Sequence, residues 1–305
     1  RQLLRGASVF VDDIHLAGML QAAFLRSPHP HAKILSIDTT NAQTLPGVHA
    51  VYTLADLSPH LLMDRLPLQF PTTAFRSDVT PWILARDEVC HVGEAVAMVI
   101  ADTRYIAEDA ATLIDVQYDP LPSVAGCAAA FAEGAASVHA SRDENVLVRF
   151  GQSYGDVNAA FASAAHVFSE RFIQHRGAAH PIEGRGALAR YDALDGSTTL
   201  WSSTQMSHEV RSAIVQMFGI DEGRIRVVAP DVGGGFGSKY IAYSEEVAIA
   251  LASRLLDSPV KWIEDRREHF TSAIQEREQD WTMEIAVDDD GSHFVAAVEP
   301  GKEVP

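Results

Sequence analysis

Gly233-Gly234-Gly235-Phe236-Gly237-Ser238-Lys239 sets four glycines within five consecutive positions. Backbone this bare tolerates positive φ and leaves amide N–H groups free to converge on an anion or an oxo group. Ile225-Arg226-Val227-Val228-Ala229-Pro230, just before it, reads as a buried strand. Glu245 to Ala252, just after it, reads as a helix with acidic residues in its first turn. Strand, glycine loop and helix in that order place phosphates and bulky cofactors against exposed amides. Taken alone, such a loop serves equally well to let a strand and a helix pack tightly.

The familiar phosphate and nucleophile motifs fail on this stretch. A P-loop needs Gly directly before Lys-Ser/Thr, whereas Ser238 precedes Lys239 and Tyr240 follows it. The dinucleotide fingerprint G-x-G-x-x-G meets Ser238 or Tyr240 where its last glycine belongs. The esterase elbow G-x-S-x-G meets Phe236 at its first glycine.

Other reactive side chains read mostly as structural. Gln205, in Ser203-Thr204-Gln205, would on its own be a glutamine bonding backbone at a strand end. His29-Pro30-His31 has H-x-H spacing without an identifiable third ligand, and fits a turn after a strand. His175, His180 and Glu183 cluster within 174–185 and read as a hydrogen-bonded loop, with a site role as the lesser alternative. Arg266-Arg267 should pair with Glu264, Asp265 or Glu268. Cys90 and Cys127, the two cysteines, read as buried reduced thiols of a cytoplasmic protein. An iron–sulfur cluster needs four cysteine ligands, so any electrons would leave through another polypeptide.

The elements that must position these groups follow from periodicity and turn signals. Strands are expected at 19–25, 32–38, 48–53, 95–101, 114–118, 167–174, 186–191, 197–202 and 281–287. Helices are expected at 104–113, with Ile106, Ala110 and Leu113 on one face, at 156–164 and near 207–218. Pro120-Leu121-Pro122 and the Ala/Gly-rich stretch 124–136 read as a linker, or a short helix near 128–132. Residues 299–305 look like a solvated end. The 305-residue length suggests about two domains. With 24 basic and 41 acidic residues the net charge of −17 repels phosphate backbones and argues against nucleic acid. No apolar run approaches the length of a membrane span.

Ser203-Thr204-Gln205, the helix near 207–218, Arg224-Ile225-Arg226-Val227 and the glycine loop together resemble the molybdopterin-binding subunit of the xanthine dehydrogenase family. That family includes aldehyde oxidases and the large subunit of aerobic carbon monoxide dehydrogenase. The resemblance extends to Pro259-Val260-Lys261-Trp262-Ile263-Glu264-Asp265-Arg266-Arg267-Glu268. Upstream it takes in Val11-Asp12-Asp13, Arg26-Ser27-Pro28-His29-Pro30-His31-Ala32, Leu45-Pro46-Gly47-Val48 and Val92-Gly93-Glu94-Ala95-Val96-Ala97.

The resemblance implies a mixed α/β fold: a hammerhead-type domain over 1–125, a linker over 126–140, and the first part of a molybdenum-cofactor-binding domain over 141–305. Gly233, Gly234, Gly235, Phe236 and Gly237 would lie against the cofactor, with Phe236 walling the substrate cavity and Gln205 bonding the metal's apical oxygen. Arg277 would stabilise transition-state charge, or form a surface ion pair with Glu276 or Glu278. Tyr240 stands where purine-hydroxylating members carry an acid, which argues against xanthine as substrate. The family's base glutamate has no counterpart here. The chain is accordingly expected to be a fragment, a truncated product or one half of a split subunit, inactive alone. The implied cofactor is molybdopterin, in a cytosine dinucleotide form, with molybdenum. The implied partners are an iron–sulfur subunit, an FAD subunit, a second molybdopterin-subunit chain and a small-molecule substrate. A non-catalytic assembly half, or a ligand-binding protein whose loop holds a phosphate, are the competing readings.

Overall fold

The computed structural model describes residues 3–68, 79–148 and 151–291, and the backbone of 294–300. These residues form two compact units, one from residues up to 122 together with 179–274, the other from 123–178 together with 275–300.

The first unit is organised by a seven-stranded mixed sheet. Its strands are β1 (Leu20–Arg26), β3 (Val48–Tyr52), β5 (Ala95–Ala101), β8 (Gly186–Asp192), β9 (Ser197–Ser202), β10 (Ile225–Val228) and β11 (Val260–Ile263). They lie in the order β10-β9-β8-β11-β1-β5-β3. Strand β1 pairs parallel with β11, Leu20 opposite Val260, so segments far apart in sequence share one sheet. A smaller sheet joins β2 (Ala32–Asp38) to β4 (Glu88–Val89) and β6 (Asp115–Pro120).

Strand β5 shows why this sheet holds. Ala-Val-Ala-Met-Val-Ile-Ala is buried at every position because both faces are covered. Met98 and Ile100 enter a core shared with the helices Ser207–Phe218 and Ser244–Leu256. Ala97, Val99 and Ala101 face the opposite way, against Ala107, Ala110 and Ala111 of the helix Arg104–Thr112. Leu113, expected on that buried stripe, is 41% exposed because the helix ends before it. Truncating Ile100 to Ala would cost about 2–5 kcal/mol through lost burial and the cavity left behind.

The second unit centres on an antiparallel sheet of β7 (His166–Gln174), β12 (Gln279–Val287) and β13 (Phe294–Pro300), with β12 in the middle. The helices Cys127–Phe131 and Val157–Ser163 pack on β12 and β13. The Ala-rich stretch takes the short-helix alternative, as Cys127–Phe131. Two elements differ from expectation: Val260–Ile263 is a strand, and Glu299 and Pro300 continue β13 because β12 supplies a backbone partner for them. Residues 301–305, the rest of the expected solvated end, lie outside the described residues.

Candidate functional site

The glycine loop leaves the sheet after β10 and is tethered before it turns. Asp231 accepts from the Val9 N–H at 3.0 Å, and its own N–H donates to the Val9 carbonyl at 3.1 Å. Gly234 and Gly237 have φ of +98° and +91°, values that favour glycine. Phe236 sits at φ +50°, left-handed for a non-glycine residue, with its side chain 76% exposed. Its ring folds back so that a Cβ on Gly234 would lie 2.8 Å from Phe236 Cε2. Beyond the loop, the Ser238 N–H and hydroxyl both donate to the Gly235 carbonyl at 2.9 Å. Among the described residues, the N–H groups of Gly234, Gly235 and Phe236 donate to no protein acceptor.

Gln205 meets this loop directly. Strand β9 ends at Ser202, and buried Ser203 and Thr204 carry the chain to the start of the helix Ser207–Phe218. The Gln205 N–H donates to the Lys239 carbonyl at 2.8 Å. Its side-chain Oε1 accepts from the Gly237 N–H at 3.2 Å. A Cβ on Gly235 would stand 2.4 Å from Gln205 Cδ, so the carboxamide packs flat where a side chain would otherwise be. The carboxamide NH2 donates to no acceptor among the described residues.

Glu183 holds the other end of the loop, although its sequence neighbourhood suggested an ordinary loop residue. One oxygen, Oε2, accepts from the Gly233 N–H at 2.7 Å, from the Ser203 hydroxyl at 2.7 Å and from Lys239 Nζ at 2.9 Å. The Lys239 side chain is fully buried, and that burial pulls its pKa down against the opposing pull of Glu183. Arg266 donates to the Pro181 and Ile182 carbonyls at 2.6 and 3.0 Å, steadying the segment before Glu183. This corrects the expectation that Arg266 serves an acidic neighbour.

Beneath the loop lies a buried charge network. Arg185 donates to Glu264 Oε1 through Nε at 2.8 Å and through a terminal nitrogen at 2.6 Å, and its own N–H reaches Oε2 at 2.7 Å. Burial alone would raise the Glu264 pKa, but Arg185 outweighs it and holds the carboxyl below its usual value. Glu245 is likewise brought down to about 2, because Arg185 and Arg26 overcome its burial. Glu246 has no such partner. Burial pushes it up to about 7, although it accepts from the Ser202 hydroxyl and, at 2.8 Å, from the Tyr243 N–H. Both acids sit in the first turn of the helix Ser244–Leu256, where the macrodipole favours negative charge. The Tyr243 hydroxyl reaches back to donate to the Ser238 carbonyl, linking network to loop.

The remaining candidates take other partners. Arg277 is exposed and belongs to the second unit, where Glu278 engages Arg176 at 3.7 Å and the Cys127 N–H at 3.1 Å. His31 is buried, with Nδ1 2.8 Å from the Pro122 carbonyl, and the His29 ring lies tilted against Tyr118, their centroids 4.9 Å apart. His180 is exposed and packs against Phe270. Cys90 and Cys127 form no disulfide and are half-buried, more accessible than expected. Burial, helped by Glu94 and Glu88, pushes the Cys90 thiol up to about 12, so it stays protonated. No helix among the described residues is long and apolar enough to cross a membrane.

Residues 138–299 match the molybdopterin cofactor-binding domain, more than half of the chain. The chain belongs to this family. Residues 5–122 match the a/b hammerhead domain of aldehyde oxidase and xanthine dehydrogenase. The nicotine 6-hydroxylase large subunit of Paenarthrobacter nicotinovorans is 39% identical over 290 residues, covering 95% of this chain and 35% of that protein. The carbon monoxide dehydrogenase large chain of Afipia carboxidovorans is 38% identical, covering 94% of this chain and 36% of its own length. Quinoline 2-oxidoreductase from Pseudomonas putida 86 superposes with a TM-score of 0.88 at 41% identity, covering 98% of this chain and 37% of that one. The chain therefore spans about a third of the length of these relatives.

Proposed function

We propose that this chain supplies one wall of the molybdenum–pterin site of a molybdenum hydroxylase. The observation that carries the reading is the row of unpartnered amides at 234–236 beside a Gln205 carboxamide whose NH2 is uncommitted. Such donors, on a loop that side chains would fill, fit an anionic or oxo-bearing group. Gly233 to Gly237 and Gln205 would hold it. When bound, the group supplies oxidation of a carbon centre with oxygen drawn from water. The chain's own part is to donate hydrogen bonds through its amides, to fix the carboxamide, and to wall the substrate side with the exposed Phe236 ring. Arg277 remains a proposed stabiliser of negative charge. The boundaries 1–125, 126–140 and 141–305 are proposed as the hammerhead, the linker and the first part of the cofactor-binding domain.

The substrate class proposed is an aldehyde, an N-heterocycle or carbon monoxide; relatives near 40% identity are named for nicotine, quinoline and carbon monoxide. Tyr240, where purine-oxidising members carry an acid, speaks against xanthine. The proposed pterin form is the cytosine dinucleotide, and iron–sulfur and FAD subunits are the proposed electron acceptors. We further propose that the chain does not turn over alone, since no glutamate here stands in the family's base context. Metal and pterin-nucleotide analysis of the chain, loaded with cofactor and freed of excess, tests the reading. Stoichiometric molybdenum and a pterin nucleotide are expected. Neither being retained would refute it, and dye reduction by the unaccompanied chain would refute the requirement for a partner.

A further inference from the structure

We propose that Glu183 is the positioning residue of the glycine loop, acting through the Gly233 N–H to set where the following amides stand relative to Gln205. The geometry differs from that of a plain buried ion pair. Three donors converge on one oxygen, and they come from three segments: Gly233 at the head of the loop, Lys239 at its foot and Ser203 two residues before Gln205. A single carboxylate oxygen therefore ties both ends of the loop to the segment that carries the carboxamide. The backbone closes the same circuit, with the Glu183 N–H donating to the Gly233 carbonyl at 3.3 Å and the Gln205 N–H donating to the Lys239 carbonyl. Contact at Gly233 is tight enough that a Cβ there would lie 2.5 Å from Glu183 Cβ, so the two backbones cannot separate and re-pair one step along without losing the fit. Lys239 has its ammonium buried against this carboxylate, which holds Glu183 in place. A carboxylate oxygen accepts without donating, so the three donors share the lone pairs of Oε2 and meet no competing proton.

The functional weight of this assignment rests on the reading that the loop faces a cofactor, but its test does not. Two double variants of the 305-residue chain remove both charges and differ only in the acceptor. Glu183→Gln/Lys239→Met keeps an amide oxygen for the Gly233 N–H, whereas Glu183→Met/Lys239→Met does not. Hydrogen–deuterium exchange of the peptide spanning 232–240, without cofactor, reads the loop, and thermal denaturation reads the fold. Similar thermal midpoints are expected for the pair, with exchange at 233 and 237 about tenfold faster in the Met/Met variant than in Gln/Met. Equal exchange in the two would overturn the proposal and reduce Glu183 to neutralising Lys239. If the Met/Met variant fails to fold, Lys239→Met alone decides. Exchange near the wild-type rate supports the bond to Gly233 as the determinant, and acceleration there overturns it. Faster exchange in Met/Met, combined with a wild-type chain that retains no molybdenum or pterin, would leave the positioning role standing and sink the cofactor reading instead.

Discussion

Replacing Glu246 by Gln tests the buried network through its pH dependence. The carboxyl is shut away from solvent, with Ser202 and the Tyr243 N–H as its donors, while Arg185 is committed to Glu264 and Glu245. Burial raises its pKa from 4.5 to about 7. A carboxyl whose folded value lies above its unfolded one binds its proton more tightly in the native state. Its contribution is therefore most favourable below pH 4.5, declines as pH rises from there towards 7, and stays unfavourable above. At about 1.4 kcal/mol per unit, the shift corresponds to about 3 kcal/mol between the two limits. Gln removes the titration, and the Ser202 hydroxyl can rotate to accept from its NH2 while its oxygen takes the Tyr243 N–H. Urea denaturation followed by tryptophan fluorescence at pH 4.5, 6 and 8 should show the variant gaining on the wild type by about 3 kcal/mol at the alkaline end. A difference between the two proteins that is the same at all three pH values would refute the buried, unneutralised carboxyl.

Three further outcomes follow from the same geometry. Gly235→Ala would displace the Gln205 carboxamide, the flexible end of a side chain, and so cost about 1 kcal/mol of stability while lowering retained molybdenum and pterin several-fold, as metal analysis beside thermal denaturation would show. Gly93→Ala would drive a Cβ to 2.5 Å from the Thr271 carbonyl at φ +91°, and should destabilise the whole first unit by about 2–4 kcal/mol, read as a fall in urea midpoint. Glu264→Gln would leave the Arg185 guanidinium under-compensated in a buried site at a cost of about 3–5 kcal/mol, read as a lower melting temperature.

Local signals made the loop and its flanks legible. Glycines at 233–235 and 237, the β-branched run before them and the acidic helix start after them each act over a few residues, and the structure has β10 and the helix Ser244–Leu256 there. Gln205 was legible only as part of a motif, since nothing in a lone glutamine says it will lie against Gly235. Glu183 escaped because its meaning is tertiary: its partners lie 20, 50 and 56 residues away, and their donors meet only once β8, β9 and the loop have assembled. Arg185 and Glu264, 79 residues apart, escaped for the same reason. Strand β11 was missed because its four residues take their pairing from β1 and β8, and so show little period of their own. At the tail, β13 depends on β12 for a backbone partner, which composition does not report.

The parallel pairing of Leu20 with Val260 has a consequence for how the protein is made. During translation the edge of β1 that will receive β11 stays open until 240 further residues have left the ribosome. A nascent chain thus holds a Val/Ile-rich half-sheet, β3 and β5 against β1, with its inner margin unfilled until β11 emerges. Closing so long a loop is slow, and an open strand margin invites wrong partners meanwhile. Yield in a heterologous host should therefore respond to chaperone supply and growth temperature more strongly than the finished molecule's stability would suggest.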